Sequence, residues 1–121
     1  MKAKERKYGF YLEDMLVSIE RILEYIGDFE FIQFKQTYIV VDAVVRNFEI
    51  IGEAAKHVPK SITVKYPEIP WNRMISLRNI VTHEYFGVDY EMIWAIVKND
   101  LPKNQSDLKG LIEIEREVGL Y

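Results

Sequence analysis

Arg78, Asn79, His83 and Tyr85 fall within one short run, Arg78-Asn-Ile-Val-Thr-His-Glu-Tyr85, in an otherwise apolar-rich region. Together these side chains can hold, attack and relieve charge on a phosphodiester. A histidine, with an ordinary pKa of about 6.5, gives and takes protons near neutrality. An arginine offers a planar fork of donors that binds phosphate oxygens in pairs and stays charged as negative charge builds in a transition state. That chemistry requires no metal. The same residues also have a purely structural use, since a histidine can complement a helix C-terminus and an arginine stem can cover apolar surface. Spacing alone leaves both uses open.

At about 100° per residue on an ideal helix, Arg78 and Tyr85 share a face, whereas His83 lies about 140° from Arg78 and groups with Asn79. One straight helix therefore cannot aim all four at one phosphate. Either the helix distorts towards Gly87, or two copies of the chain face each other and each cleft draws groups from both. The second arrangement predicts a homodimer with this segment in its interface.

The elements that must position these residues read as helices. Between Tyr11 and Ile26, Leu12, Met15, Leu16, Ile19, Ile22, Leu23 and Ile26 recur at three- and four-residue intervals, which predicts one amphipathic helix ending near Gly27-Asp28. A second runs from about Thr37 to Val58 with Val41, Val44, Val45, Phe48, Ile51 and Ala55 on its apolar side. Pro59, Pro67 and Pro70 mark a connection that holds at most one short helix, capped by Ser61. Pro70 suits the first turn of a third major helix, carrying Trp71, Met74, Ile75, Leu77, Ile80 and Val81, which Gly87 ends or bends. Asp89 can cap the next, whose Ile93, Ile96, Val97 and Leu101 stay in phase with Leu108, Leu111 and Ile112 beyond Pro102, as one kinked helix or two abutting ones. The expectation is a single all-α domain over residues 1–121, an antiparallel bundle of four to five helices.

Composition narrows the function. A chain of 121 residues without cysteine builds its core without disulfides or thiolate zinc sites and fits a reducing, cytoplasmic setting. Its only histidines, His57 and His83, lack the spacing of a zinc helix motif, so no metal or other cofactor is expected. The basic start, Met1 to Lys7, runs into a stretch carrying Glu13, Asp14, Glu20 and Arg21, unlike a signal peptide, and the apolar region Ile39 to Val58 is interrupted by charges, unlike a membrane span. A net charge of −3 argues against binding nucleic acid over the whole surface, so any RNA contact is local.

Other polar groups are weaker candidates. Asp42, Arg46, Glu49 and Glu53 form one helical stripe that can ligate a metal but more commonly makes pairs along a solvated or interfacial face. Glu53 and His57 are four apart, not the three of di-iron bundles. Tyr8, Phe10 and Tyr11 can dock a base, with core or dimer contact the commoner use.

Arg78-Asn79, three residues and then His83 resemble the Arg-polar-x-x-x-His signature of HEPN domains, and His83-Glu84-Tyr85 resembles the His-x-Tyr extension of the HepT-like toxins. Arg46-Asn-Phe-Glu-Ile-Ile-Gly-Glu-Ala54 is similar to the second-helix segment of that branch, as are Trp71, Tyr90-Glu-Met-Ile-Trp94 and Asp100-Leu-Pro102 in their order. The resemblance covers nearly the whole chain. It implies a dimeric HEPN-like bundle acting as a metal-independent endoribonuclease, the toxin of a type VII-like toxin–antitoxin system. Its usual antitoxin is a minimal nucleotidyltransferase, thought to silence the toxin by O-adenylylation of the motif tyrosine, here Tyr85. In such a site His83 acts as general base on a ribose 2′-hydroxyl or as acid to the leaving 5′-oxygen, with the partner-chain copy available for the other role. Arg78 stabilises the phosphorane, Asn79 orients His83 or a phosphate oxygen, and Tyr85 hydrogen-bonds the substrate. The competing expectation is a non-catalytic HEPN adaptor that binds a nucleotidyltransferase.

Overall fold

Apolar side chains recurring every three or four positions decide where the long helices lie. In a computed structural model of the protein the described residues are 7–82 and 89–118, and the regular structure among them is helical throughout. His83, Tyr85 and Gly87, and all of the basic start except Lys7, lie outside the described residues.

Helix α1 (Tyr8–Ile26) buries Leu12, Met15, Ile19, Ile22 and Ile26. It begins a turn before the apolar periodicity does, because Tyr8 is anchored through its hydroxyl to Glu115. Its last turn closes with the Gly27 N–H on the Leu23 carbonyl, and the chain then leaves the helix at a Gly27 φ of 48°, a region that favours glycine. A short helix, α2 (Phe31–Gln36), follows, with the Gln33 side chain accepting from the Glu30 N–H at 2.9 Å. No element is predicted there from sequence, because one and a half turns are too short to express a period.

Helix α3 (Tyr38–Lys56) is central. It buries Val41, Val44, Phe48, Ile51, Gly52 and Ala55 and packs against α1, α2 and α5 (Trp71–Thr82). Between α3 and α5 lies α4 (Lys60–Lys65). The expectation that Ser61 caps this helix is incorrect. Pro59 is the N-cap, extended at ψ 152°, and its carbonyl accepts from the N–H groups of Ile62 and Thr63. Pro70 directly precedes α5, where its carbonyl accepts from the Met74 N–H at 2.9 Å.

Helix α6 (Tyr90–Ala95) starts as expected, with the Asp89 carboxylate accepting from the Met92 N–H at 3.0 Å. It continues through a π-turn (Ile96–Asp100) into α7 (Leu101–Val118). The π-turn accounts for the break around Pro102. Proline has no N–H to donate and crowds the carbonyl four residues back. Just before it the Leu101 N–H reaches back to the Ile96 carbonyl, which widens the turn that a regular helix could not keep.

Helix directions follow from pairs across the bundle. Tyr8 meets Glu115, Arg116 meets Glu13 at 2.6 Å and Lys109 meets Glu20 at 3.6 Å, so α1 and α7 run antiparallel. Tyr11 near the start of α1 stacks on His57 just past the end of α3, so these two are antiparallel as well. Phe34 packs against Tyr90 and Trp94, with Phe31 also on Trp94, and this aromatic group docks α6 on α2.

Glu115 ties three elements together. Only 1% exposed, it accepts from Tyr8 Oη at 2.8 Å, Tyr66 Oη at 2.5 Å and Lys65 Nζ at 2.9 Å. The Lys65 hydrogen bond and then that of Tyr66 hold the Glu115 carboxyl below the usual carboxylate range, whereas burial and then the carboxylate push the Tyr66 phenol up. A carboxyl depressed on folding adds stability in full above its unfolded value of about 4.3, and that contribution is lost as pH falls through the lower folded value. Replacing Glu115 with Ala leaves the Tyr66 hydroxyl without its buried acceptor and is expected to cost about 3 kcal/mol. Urea unfolding at neutral pH measures that loss, and Glu115→Gln is expected to flatten the fall in stability on acidification.

Candidate functional site

Gly52, in the middle of α3, sets how close α5 lies. A Cβ at this position would stand 2.9 Å from the Arg78 backbone nitrogen and 3.0 Å from both the Arg78 Cβ and the Ile75 carbonyl oxygen. Only hydrogen fits there. The approach brings the Arg78 side chain across α3, and its Nη1 donates to Glu53 Oε2 at 2.6 Å.

The ion pair spans a cleft of about 510 Å³ lined by Tyr11 and Asp14 of α1, Arg46, Glu49, Ile50, Glu53 and Ala54 of α3, His57, and Arg78 of α5. Its side chains are half-exposed at 50% for Arg78 and 48% for Glu53. A pair this wet is worth roughly 0–1 kcal/mol, so it orients the guanidinium without committing it. Arg78 borders this cleft with a planar, permanently charged guanidinium, the kind of group that takes up phosphate oxygens. Arg46, paired with Glu49 at 3.5 Å, brings a second guanidinium to the same cleft.

His57 shares this lining with Arg78. Its ring lies 5.2 Å from that of Tyr11 at an interplanar angle of 22°, and its Nδ1 donates to the Glu53 carbonyl at 2.9 Å. The polar stripe on α3 thus acts as pairing groups, with Arg46 on Glu49 and Glu53 on Arg78. Among the described residues no three His, Asp or Glu side chains are grouped to hold a metal ion.

Of the predicted site residues, Arg78 lines the cleft and Asn79 is exposed outside its lining, while His83 and Tyr85 lie outside the described residues. Sequence reasoning missed the cleft's other half. Glu53, His57 and Tyr11 were legible one at a time but not as neighbours of Arg78. The available signal was Gly52, a helix-interior glycine between Ile51 and Glu53, which marks a close backbone approach.

The ribonuclease HepT-like family model matches residues 15–111. The chain belongs to this family. It is 38% identical over 105 residues to "Putative RNase MJ1380" of Methanocaldococcus jannaschii, covering 87% of this chain and 96% of that protein. To the "Probable ribonuclease HepT" of Thermococcus cleftensis it is 40% identical over 109 residues, covering 90% of this chain and 96% of the other. No solved structure gives a significant match. The HepT-like match takes in Arg78, Asn79, His83 and Tyr85 and, from the cleft, Arg46, Glu49, Glu53 and His57, but not Tyr11 or Asp14.

Because the atoms facing Gly52 include a backbone nitrogen and a carbonyl oxygen, no side-chain rotation can make room for a methyl group. Gly52→Ala is expected to force α3 and α5 apart at a cost of about 1–3 kcal/mol, despite alanine's better helix propensity. Thermal melting of the purified variant checks this, with an unchanged or raised Tm as the contrary result.

Proposed function

We propose that the chain is a metal-independent endoribonuclease whose reaction uses the ribose 2′-hydroxyl, with Arg78 and His83 as its catalytic pair. The supporting observation is the placement of Arg78 in an open cleft, oriented by Glu53, in a chain of the ribonuclease HepT-like family. His83 removes the proton from the 2′-hydroxyl, whose oxygen attacks the adjacent phosphorus. Arg78 neutralises charge on the phosphorane oxygens, and Asn79 orients His83 or one of those oxygens. The bond from phosphorus to the 5′-oxygen then breaks, that oxygen takes up a proton, and a 2′,3′-cyclic phosphate remains. DNA has no 2′-hydroxyl and does not react in this way.

On an ideal helix Arg78 and His83 diverge by about 140°, so the reading includes a homodimer in which each site takes Arg78 from one protomer and His83 from the other. Arg78→Ala and His83→Ala are each expected to lower cleavage of an RNA oligonucleotide at least about 10²-fold with folding unchanged. Excess EDTA is expected to leave the wild-type rate intact. Mixing the two variants restores activity if the site is shared between protomers, and loss of cleavage in EDTA with recovery in magnesium rejects the mechanism. An inert wild-type chain that still binds a nucleotidyltransferase supports the adaptor instead.

The wider reading makes this ribonuclease the toxin of a type VII-like toxin–antitoxin system, neutralised by a minimal nucleotidyltransferase that adenylylates Tyr85. Tyr85 lies seven residues from Arg78, two helical turns along one face if the helix continues. Adenylate on its phenol adds bulk and negative charge beside the arginine, so RNA is excluded by occupancy and repulsion. Incubation with the cognate transferase and ATP is expected to add one adenylate, absent from Tyr85→Phe, by mass spectrometry. Full inhibition with Tyr85 unmodified means that the partner acts by occlusion.

A further inference from the structure

Cleavage through a 2′-hydroxyl needs two proton transfers, one from the nucleophile and one to the leaving oxygen, and a histidine from outside the Arg78–Tyr85 run, His57, lines the Arg78 cleft. We propose that His57 is the general acid of the reaction, donating from Nε2 to the departing 5′-oxygen while His83 takes the 2′-hydroxyl proton. This assignment rests on the ribonuclease reading and adds to it a residue outside the Arg78–Tyr85 run.

Three observations carry it. The first is position. His57 and Arg78 line one cleft of about 510 Å³, and both are linked to Glu53, Arg78 through the carboxylate at 2.6 Å and His57 through the backbone carbonyl at 2.9 Å. Both side chains therefore border one space, the one that a phosphate held by Arg78 would enter.

The second is the tautomer. A carbonyl oxygen only accepts, so the bond to Glu53 fixes the proton on Nδ1 and leaves Nε2 as the nitrogen that exchanges protons with a ligand. No described residue takes Nε2 as a hydrogen-bond partner. Stacking on Tyr11 at 5.2 Å and 22° fixes the plane of the ring, so the direction of Nε2 is set before substrate arrives.

The third is the setting. His57 is the C-cap of α3, and a ring protonated on both nitrogens donates from Nε2 while Nδ1 keeps its bond to the Glu53 carbonyl. The charged and titratable groups lining the cleft with it are Tyr11 and Asp14 from α1, Arg46, Glu49 and Glu53 from α3, and Arg78 from α5. Proton balance is complete. One proton leaves the 2′-oxygen for His83, one leaves His57 for the 5′-oxygen, the new P–O2′ bond replaces P–O5′, and solvent resets both rings.

The test uses the purified full chain and an RNA oligonucleotide, first to map where the wild type cuts and then with a bridging sulfur in place of the 5′-oxygen at that linkage. A thiolate leaves without protonation, so it dispenses with the acid. His57→Gln is expected to slow the ordinary linkage about 10²-fold or more, to lose the alkaline fall of the pH–rate profile, and to cut the sulfur linkage at the wild-type rate. His57→Ala serves as the second variant, and the exposure of His57 keeps either replacement compatible with folding. A variant as fast as wild type on the ordinary linkage overturns the assignment, as does a variant slowed equally on both linkages. A wild-type chain that cuts neither linkage rejects the ribonuclease reading, whereas an active wild type with an unaffected variant rejects only the role of His57.

Discussion

The contact on which the site depends is the close approach of α3 and α5 at Gly52. With hydrogen in place of a side chain, the Arg78 backbone sits against α3, and the guanidinium can cross to Glu53. Distance is the whole matter here. An arginine held further away on a separate helix would wave in solvent, and the entropy of fixing so long a side chain would fall on substrate binding. The ion pair is exposed enough that its own energy is small, so its value lies in aim. Glu53 also carries the carbonyl that fixes His57, so one residue sets two potential reactive groups.

The buried carboxylate network and the candidate site differ in their exposure to water. The buried carboxylate of Glu115, satisfied by Tyr8, Tyr66 and Lys65, joins the start of α1, the end of α4 and the end of α7. Its charge is tolerable because three donors replace the water it lost. In the cleft, by contrast, Arg46, Glu49, Glu53 and Arg78 keep part of their hydration, so their pairing can be exchanged for a ligand at modest cost. The fold rests on the dry network and leaves the wet one available.

Much of the architecture was legible because long helices print their period. Leu12 to Ile26 and Val41 to Ala55 give the register of α1 and α3, and Asp89 announces the start of α6. Pro102 announced a discontinuity without saying which kind, since a kink, a break and a π-turn all answer to a missing N–H. Helix α2 was silent for want of length, and α4 begins at Lys60 because the Pro59 carbonyl receives its first N–H groups, which outweighs the cap preference of Ser61.

The sequence by itself determined which chemistry is available and on which helices it is carried. Arg78, two histidines, no thiols and four strongly periodic segments limit the chain to a helical bundle with an acid–base repertoire. Membership of the ribonuclease HepT-like family follows from the same residues in the same order. What only the tertiary structure decided is which of those groups meet. Arg78 and His57 are separated by 21 positions, and no local rule relates them. They line one cleft because α1 returns antiparallel to α3, which brings Tyr11 to His57, and because Gly52 admits α5 to close contact with α3. Helical period fixes the face on which each side chain stands, whereas the neighbour across that face depends on how near two helices can come, and that is set by the volume of the residue between them.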